Sequence, residues 1–146
     1  MAFSGPTLRL SRADYLAILG HCYDCLPDEA CGLLAGRLRA GSYEPDGRVE
    51  RVYLTTNADA SARVYSVESR ELMRALRDAN ARELELVGVF HSHTHTEAWP
   101  SPTDVRTASD PNWIYVIVSL KDGDPVLRGF RIVDGNISEV PVVLES

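Results

Sequence analysis

The segment HSHTHTEAWPSPTD gathers side chains that can bind a metal ion or transfer a proton. Three of the chain's four histidines, His91, His93 and His95, occupy alternate positions there, and Ser101 and Asp104 follow them. Side chains two residues apart share one face of a β-strand, whereas a shared helix face requires spacings of three or four. The spacing therefore predicts imidazoles that project side by side from the end of a strand.

Two of these imidazoles and one carboxylate can form a metal site. His91 and His93 would supply two corners of a tetrahedron, and Asp104, at the start of the next element, a third. Three protein ligands leave a fourth position for water, which distinguishes catalytic zinc sites from structural ones. A single HxH pair is weak evidence, because solvated surface strands also carry such pairs. The apolar run VGVF before His91 and the nearby Ser101 and Asp104 favour the metal site.

Three elements must position these residues. The run LELVGVFHSHT (84–94) is typical of a buried strand that leads directly into the histidines. SPTDVRTAS (101–109) indicates a short helix that begins at Ser101, with Pro102 at its first position. EACGLLAGRL (29–38) is a small and apolar run that predicts a second buried strand.

The rest of the chain predicts a mixed α/β domain. Apolar residues at helical spacing predict helices over 11–25 and 68–83, the first ending before Leu26-Pro27. Further strands are predicted at 7–10, 48–57, 62–67, 112–120, 125–133 and 138–145, with a turn at 45–47 and a closing hairpin around 134–136. No repeat or long linker divides the chain, so we expect one domain over residues 1–146.

Composition excludes several classes of function. The 146 residues carry a formal net charge of -6, which argues against a nucleic-acid or anionic-membrane surface. No apolar stretch approaches the roughly 18 residues that a membrane span needs, and the first residues lack the apolar core of a signal peptide. We therefore expect a cytoplasmic protein.

The three cysteines, Cys22, Cys25 and Cys31, are odd in number and clustered. A zinc site built from cysteines alone needs a second C-x-x-C pair, and a redox pair needs a strand-to-helix context. The sequence shows neither, so we expect reduced, buried or half-buried thiols.

The spacing also resembles a known family. H-S-H, then seven residues, Ser, two residues and Asp is the signature of the JAMM (MPN+) metalloproteases, and this chain matches it without a gap. PDEACGLLAG (27–36) resembles the family's glutamate segment, and Glu29 matches its catalytic glutamate. The resemblance covers nearly the whole chain. It implies a JAMM/MPN (cytidine-deaminase-like) fold, an α/β domain whose mixed sheet is curved around and flanked by helices.

The resemblance also implies a role for each matched residue. His91, His93 and Asp104 would bind Zn²⁺, and Glu29 would act as the base that activates water. Ser101 would hydrogen-bond the polarised carbonyl or the oxyanion that develops from it.

Two histidine neighbours fall outside that set. Ser92 lies between two ligands, so it should point to the opposite face of the strand and serve packing or positioning. His95 follows the strand in a loop, where we expect it to be solvated or to face substrate.

A narrower resemblance concerns the substrate. HSHT-x-TEA-aromatic-PS-x-TDV and GFRIVDGNISEVPV resemble the actinobacterial Mec-type peptidases, which process ubiquitin-like sulfur-carrier proteins. This implies hydrolysis after a carrier's C-terminal Gly-Gly, with release of a cysteine or a short extension. A thin diglycine tail would fit a narrow groove and bind by strand addition.

Several alternatives remain open in the sequence. The same residues would serve a JAMM isopeptidase of the deubiquitinase kind or an amidase. A non-catalytic MPN scaffold is a third interpretation, although such scaffolds typically lack the ligand set. The identity of the extension, the pathway served and the formation of a homodimer also remain open.

Overall fold

The computed structural model describes residues 6–146. Residues 1–5 lie outside the described residues. The expected absence of a signal peptide and the start of the predicted domain concern these residues in part. The elements in chain order are β1 Leu8–Ser11, α1 Arg12–Asp24, β2 Cys31–Leu38, β3 Pro45–Thr55, α2 Ser69–Ala81, β4 Glu85–His93, α3 Pro102–Thr107, β5 Ile114–Ser119, β6 Val126–Val133, β7 Asn136–Val140 and β8 Val142–Glu145.

The eight strands form one mixed sheet in the order β7-β6-β5-β4-β2-β3-β1-β8. β4 runs parallel to β5 and antiparallel to β2, so the histidine strand has a partner on each side. Only Pro141 separates β7 from β8, yet these strands stand at opposite ends of the order. The sheet must therefore curve until its two ends approach each other, which confirms the predicted curved mixed sheet.

The helices cover opposite faces of this sheet. Adjacent residues of β4 divide between two apolar groups, because alternate side chains point to opposite faces. Phe90 packs in the group that contains Ile18 of α1, and Val89 packs in the group that contains Ala75 of α2. β2 approaches Phe90 so closely that a Cβ on Gly32 would overlap its ring. Both faces of β4, the strand that carries His91 and His93, are therefore packed against apolar residues.

Three predicted elements differ in the structure. Residues 62–67 form no strand and make only an isolated bridge between Asn57 and Val67. The predicted strand 138–145 breaks at Pro141, whose missing N–H cannot join the ladder, and its second half pairs with β1 instead. The turn predicted at 45–47 is already part of β3, which contains a register shift opposite β2.

Two other expectations, the closing hairpin and the state of the cysteines, are confirmed. The hairpin of β6 and β7 turns at Asp134 and Gly135, both with positive φ. The three cysteines are free, with Cys22 and Cys31 buried and Cys25 half-buried. In the described part of the chain, no helix is both long and apolar enough to cross a membrane.

Candidate active site

Three atoms from two elements meet at the carboxyl end of β4. The Nε2 atoms of His91 and His93 lie 3.1 Å apart, and Asp104 Oδ2 lies 3.2 Å from the first and 3.1 Å from the second. Zinc–ligand distances of about 2.0–2.1 Å place neighbouring tetrahedral ligands about 3.3 Å apart. The nearly equilateral triangle matches that spacing, so the three side chains can hold a metal ion.

Burial and hydrogen bonds shift the pKa values of the three side chains in the triangle in different directions. His93 Nδ1 lies 2.8 Å from the Glu97 carbonyl, to which it donates, so neutral His93 keeps the lone pair on Nε2 inside the triangle. Burial holds the pKa of His91 below its usual value, which favours the neutral, metal-binding form. Burial alone would raise the pKa of Asp104, but hydrogen bonds with both histidines outweigh it and hold that pKa well below its usual range. Burial lowers the pKa of His93, but its hydrogen bonds with Asp104 and the Glu97 carbonyl outweigh this and raise that pKa above its usual value. A metal ion that binds here would therefore displace a proton from His93 Nε2.

Ser101 fixes Asp104 through a reciprocal cap at the start of α3. The Ser101 Oγ accepts a hydrogen bond from the Asp104 N–H at 3.0 Å, and Asp104 Oδ2 accepts one from the Ser101 N–H at 2.9 Å. Pro102 occupies the first helical turn, where its missing N–H has no cost. Because the Ser101 oxygen acts as acceptor in this cap, its O–H proton remains available to donate to another group.

Glu29 lies just before β2 and is only 4% exposed. Its N–H donates to the Ser61 carbonyl at 2.7 Å, and its carbonyl accepts from Asn57 Nδ2 at 3.0 Å. Burial raises the pKa of the Glu29 carboxyl to about 7, with His93 lowering it and Asp104 raising it further. A carboxyl with a pKa near 7, shifted by the charges of His93 and Asp104, can exchange protons near neutral pH.

Ser92 and His95 lie where the spacing indicates, and Trp99 belongs to the loop that follows the histidines. Ser92 is fully buried, and its Oγ accepts from the Ala30 N–H at 2.8 Å, away from the triangle. His95 is exposed in the loop after β4. Trp99 packs edge-on against Phe130, with ring centroids 5.2 Å apart.

Two residues of the site carry no signal in the sequence. Tyr65 stacks on the imidazole of His91, with centroids 4.2 Å apart and an interplanar angle of 17°. Asn57 is buried and bonds the Glu29 carbonyl. Both belong to the loop 57–67, part of which the sequence pattern assigned to a strand. A groove of about 350 Å³, lined in part by Tyr65, Trp113 and Tyr115, adjoins this loop.

Comparison with known proteins agrees with this geometry. The chain belongs to the family described as prokaryotic homologs of the JAB domain, which matches residues 11–133. Its relatives include the CysO-cysteine peptidase of Mycobacterium tuberculosis, 42% identical over 135 residues that cover 90% of this chain and 87% of that protein. A desampylase from Pyrococcus furiosus is 31% identical over 118 residues, covering 80% and 76%. The predicted family is thus confirmed.

A solved structure supports the fold. The solution structure of a protein from Desulfitobacterium hafniense superposes with a TM-score of 0.85 at 37% identity, covering 96% of this chain and 94% of that one. The fold described above is therefore shared over nearly the full length of both chains.

Proposed function

We propose that the protein is a zinc metallopeptidase that hydrolyses the bond after the C-terminal Gly-Gly of a ubiquitin-like sulfur-carrier protein, removing a cysteine or a short extension. The observation that carries the proposal is the triangle of His91, His93 and Asp104, together with the buried carboxyl of Glu29, whose pKa responds to the charges of His93 and Asp104. Two imidazole nitrogens and one carboxylate oxygen are a donor set typical of catalytic zinc.

Each of these residues would then have its own role in the hydrolysis. Zinc held by His91, His93 and Asp104 would polarise the scissile carbonyl and make water more acidic. The Glu29 carboxylate accepts a proton from the attacking water and delivers it to the leaving nitrogen, so that a C–O bond forms as the C–N bond breaks. The Ser101 hydroxyl donates a hydrogen bond to the carbonyl oxygen as its negative charge grows.

The relatives support the choice of substrate. At 42% identity, the CysO-cysteine peptidase is similar over most of both chains. The groove beside Tyr65 is open and partly apolar, and we propose that it receives the extended diglycine tail. We further propose that residues 1–146 form a single cytoplasmic domain.

A second candidate is cleavage of an isopeptide bond between a ubiquitin-like protein and a lysine side chain. The similarity to a desampylase favours this candidate. The triangle, Glu29 and Ser101 would serve both reactions. The two functions differ only in the group that is joined to the diglycine carboxyl.

Intact-mass spectrometry of a sulfur carrier separates the candidates. The zinc-supplied protein would be incubated with carriers that end in Gly-Gly, in Gly-Gly-Cys or in a longer extension, and with a carrier linked to lysine. We expect the extended carriers to lose all mass beyond Gly-Gly, with the Gly-Gly carrier unchanged. Cleavage of the lysine conjugate alone would establish the second candidate.

Two variants define the role of the base. Glu29→Gln keeps the size of the side chain and should lower the rate by about 10²–10⁴-fold. Glu50→Gln makes the same change at an exposed position of β3 and should cleave like the wild type. Equal cleavage by both variants would show that Glu29 is not the base.

A further inference from the structure

The two histidines of the triangle are held in different ways. The ring of His93 is fixed by the hydrogen bond from Nδ1 to the Glu97 carbonyl at 2.8 Å. His91 Nδ1 is buried and has no hydrogen-bond partner among the described residues. A hydrogen bond to the second ring nitrogen is the usual way of orienting a metal-binding histidine. His91 therefore needs another constraint.

The ring of Tyr65 lies where such a constraint is needed. It stacks almost parallel to the His91 imidazole, at 17° and 4.2 Å between centroids. Rotation of His91 about its Cβ–Cγ bond would drive the imidazole edge into the tyrosine ring. With Tyr65 in place, the orientation that places Nε2 3.1 Å from His93 Nε2 is retained.

Tyr65 is itself held on both sides by one buried side chain. Asn57 Nδ2 donates to the Val64 carbonyl at 3.0 Å, and Asn57 Oδ1 accepts from the Ser66 N–H at 3.0 Å. The Ala58 N–H also donates to the Ser66 carbonyl at 2.7 Å. The tyrosine ring is thus carried by backbone tied to a buried residue, although it lies in a loop.

We infer that Tyr65 is a positioning residue for the metal site: its ring, rather than a hydrogen bond to Nδ1, orients His91 toward His93 and Asp104. The inference rests on the metal site of the proposed function and on no assumption about the substrate. Loss of a partner that orients a metal ligand typically weakens metal binding by about 10–100-fold. Removal of the ring should have an effect in this range, and removal of the hydroxyl alone should have little effect.

Zinc affinity, measured by competition with a chromophoric chelator, tests this without any substrate. Three variants are compared with the wild type: Tyr65→Phe keeps the ring, Tyr65→Leu removes it, and Tyr43→Leu makes the same change at a tyrosine that is 83% exposed. We expect Tyr65→Leu to bind zinc about 10-fold more weakly or worse, with the other two within about threefold of the wild type.

The visible absorption of the cobalt-substituted proteins provides a second readout. We expect Tyr65→Leu to show altered band positions and intensities, because one ligand is misoriented, and Tyr65→Phe to match the wild type. If Tyr65→Leu does not fold, Tyr65→Met, which keeps an apolar side chain of similar length without the ring, replaces it in both measurements.

Each outcome of these measurements supports or overturns the role of Tyr65, the metal site or the proposed substrate. Wild-type affinity and spectrum in the variant without the ring would overturn the inference, and equal losses in Tyr65→Phe and Tyr65→Leu would assign the effect to the hydroxyl instead. A wild-type protein that binds no zinc would overturn the metal site itself. Tight zinc binding without cleavage of any carrier would overturn the proposed substrate and leave the role of Tyr65 standing.

Discussion

The hydroxyl of Ser92 accepts a hydrogen bond from the backbone N–H of Ala30 at 2.8 Å, across 62 positions of sequence. The Ser92 N–H donates in turn to the Ala30 carbonyl at 3.0 Å. Ser92 lies between the two histidines of the triangle, and Ala30 follows Glu29 directly. The residue that separates two proposed ligands thus fixes the backbone of the proposed base, so the spacing between base and metal site is set by strand contacts.

Ser92→Ala should reduce both stability and turnover. The substitution leaves the buried Ala30 N–H without an acceptor, which costs about 1–3 kcal/mol. We expect the free energy of unfolding in urea to fall by that amount and kcat to fall with it, because Glu29 loses its adjacent anchor. Ser138→Ala, at an exposed position of β7, should change stability by no more than about 0.5 kcal/mol. Unchanged kcat in Ser92→Ala would show that the anchor does not position the base.

Asn57→Asp should affect the base and the metal site together. The change preserves shape but replaces two amide N–H donors by an oxygen that faces the carbonyls of Glu29 and Val64. We expect lower kcat at saturating zinc and weaker zinc binding, because the same side chain holds the Glu29 segment and the backbone beside Tyr65. Asn136→Asp, at an exposed position, is the matched control. A loss of kcat with wild-type zinc affinity would show that Asn57 acts only through Glu29.

The pH dependence of stability should report on Glu29 in the metal-free protein. Burial raises the pKa of this carboxyl from 4.5 to about 7, so folding favours its protonated form. The stability it contributes is complete below about 4.5 and is lost as the pH rises through about 7. We expect wild-type stability to fall relative to Glu29→Gln across this range, measured by urea unfolding in chelator. Parallel curves would show that the carboxyl titrates as it does in the unfolded chain.

The parts of the site that arise from short-range patterns could be predicted from the sequence. Alternation placed His91 and His93 on one strand face, and the Ser101-Pro102 start predicted the helix that carries Asp104. Tyr65 and Asn57 could not be found in this way, because their roles arise from contacts with residues 26 and 28 positions away. The pairing of β8 with β1 depends likewise on closure of the whole sheet. The proline at position 141 is a local signal for the break, which the prediction of one strand over 138–145 did not use.

Zinc should stabilise the protein through two of its three clustered histidines. An ion that binds the folded state alone raises the free energy of unfolding by about 4 kcal/mol when its concentration is 1,000 times Kd. We expect added zinc to raise the Tm of the wild type and chelator to reverse the shift. His93→Ala should lose most of the shift because it removes one corner of the triangle. His95→Ala should keep it, because His95 is exposed in the loop after β4 and outside the triangle. Loss of the zinc-dependent shift in His95→Ala would mean that the third imidazole also binds the ion.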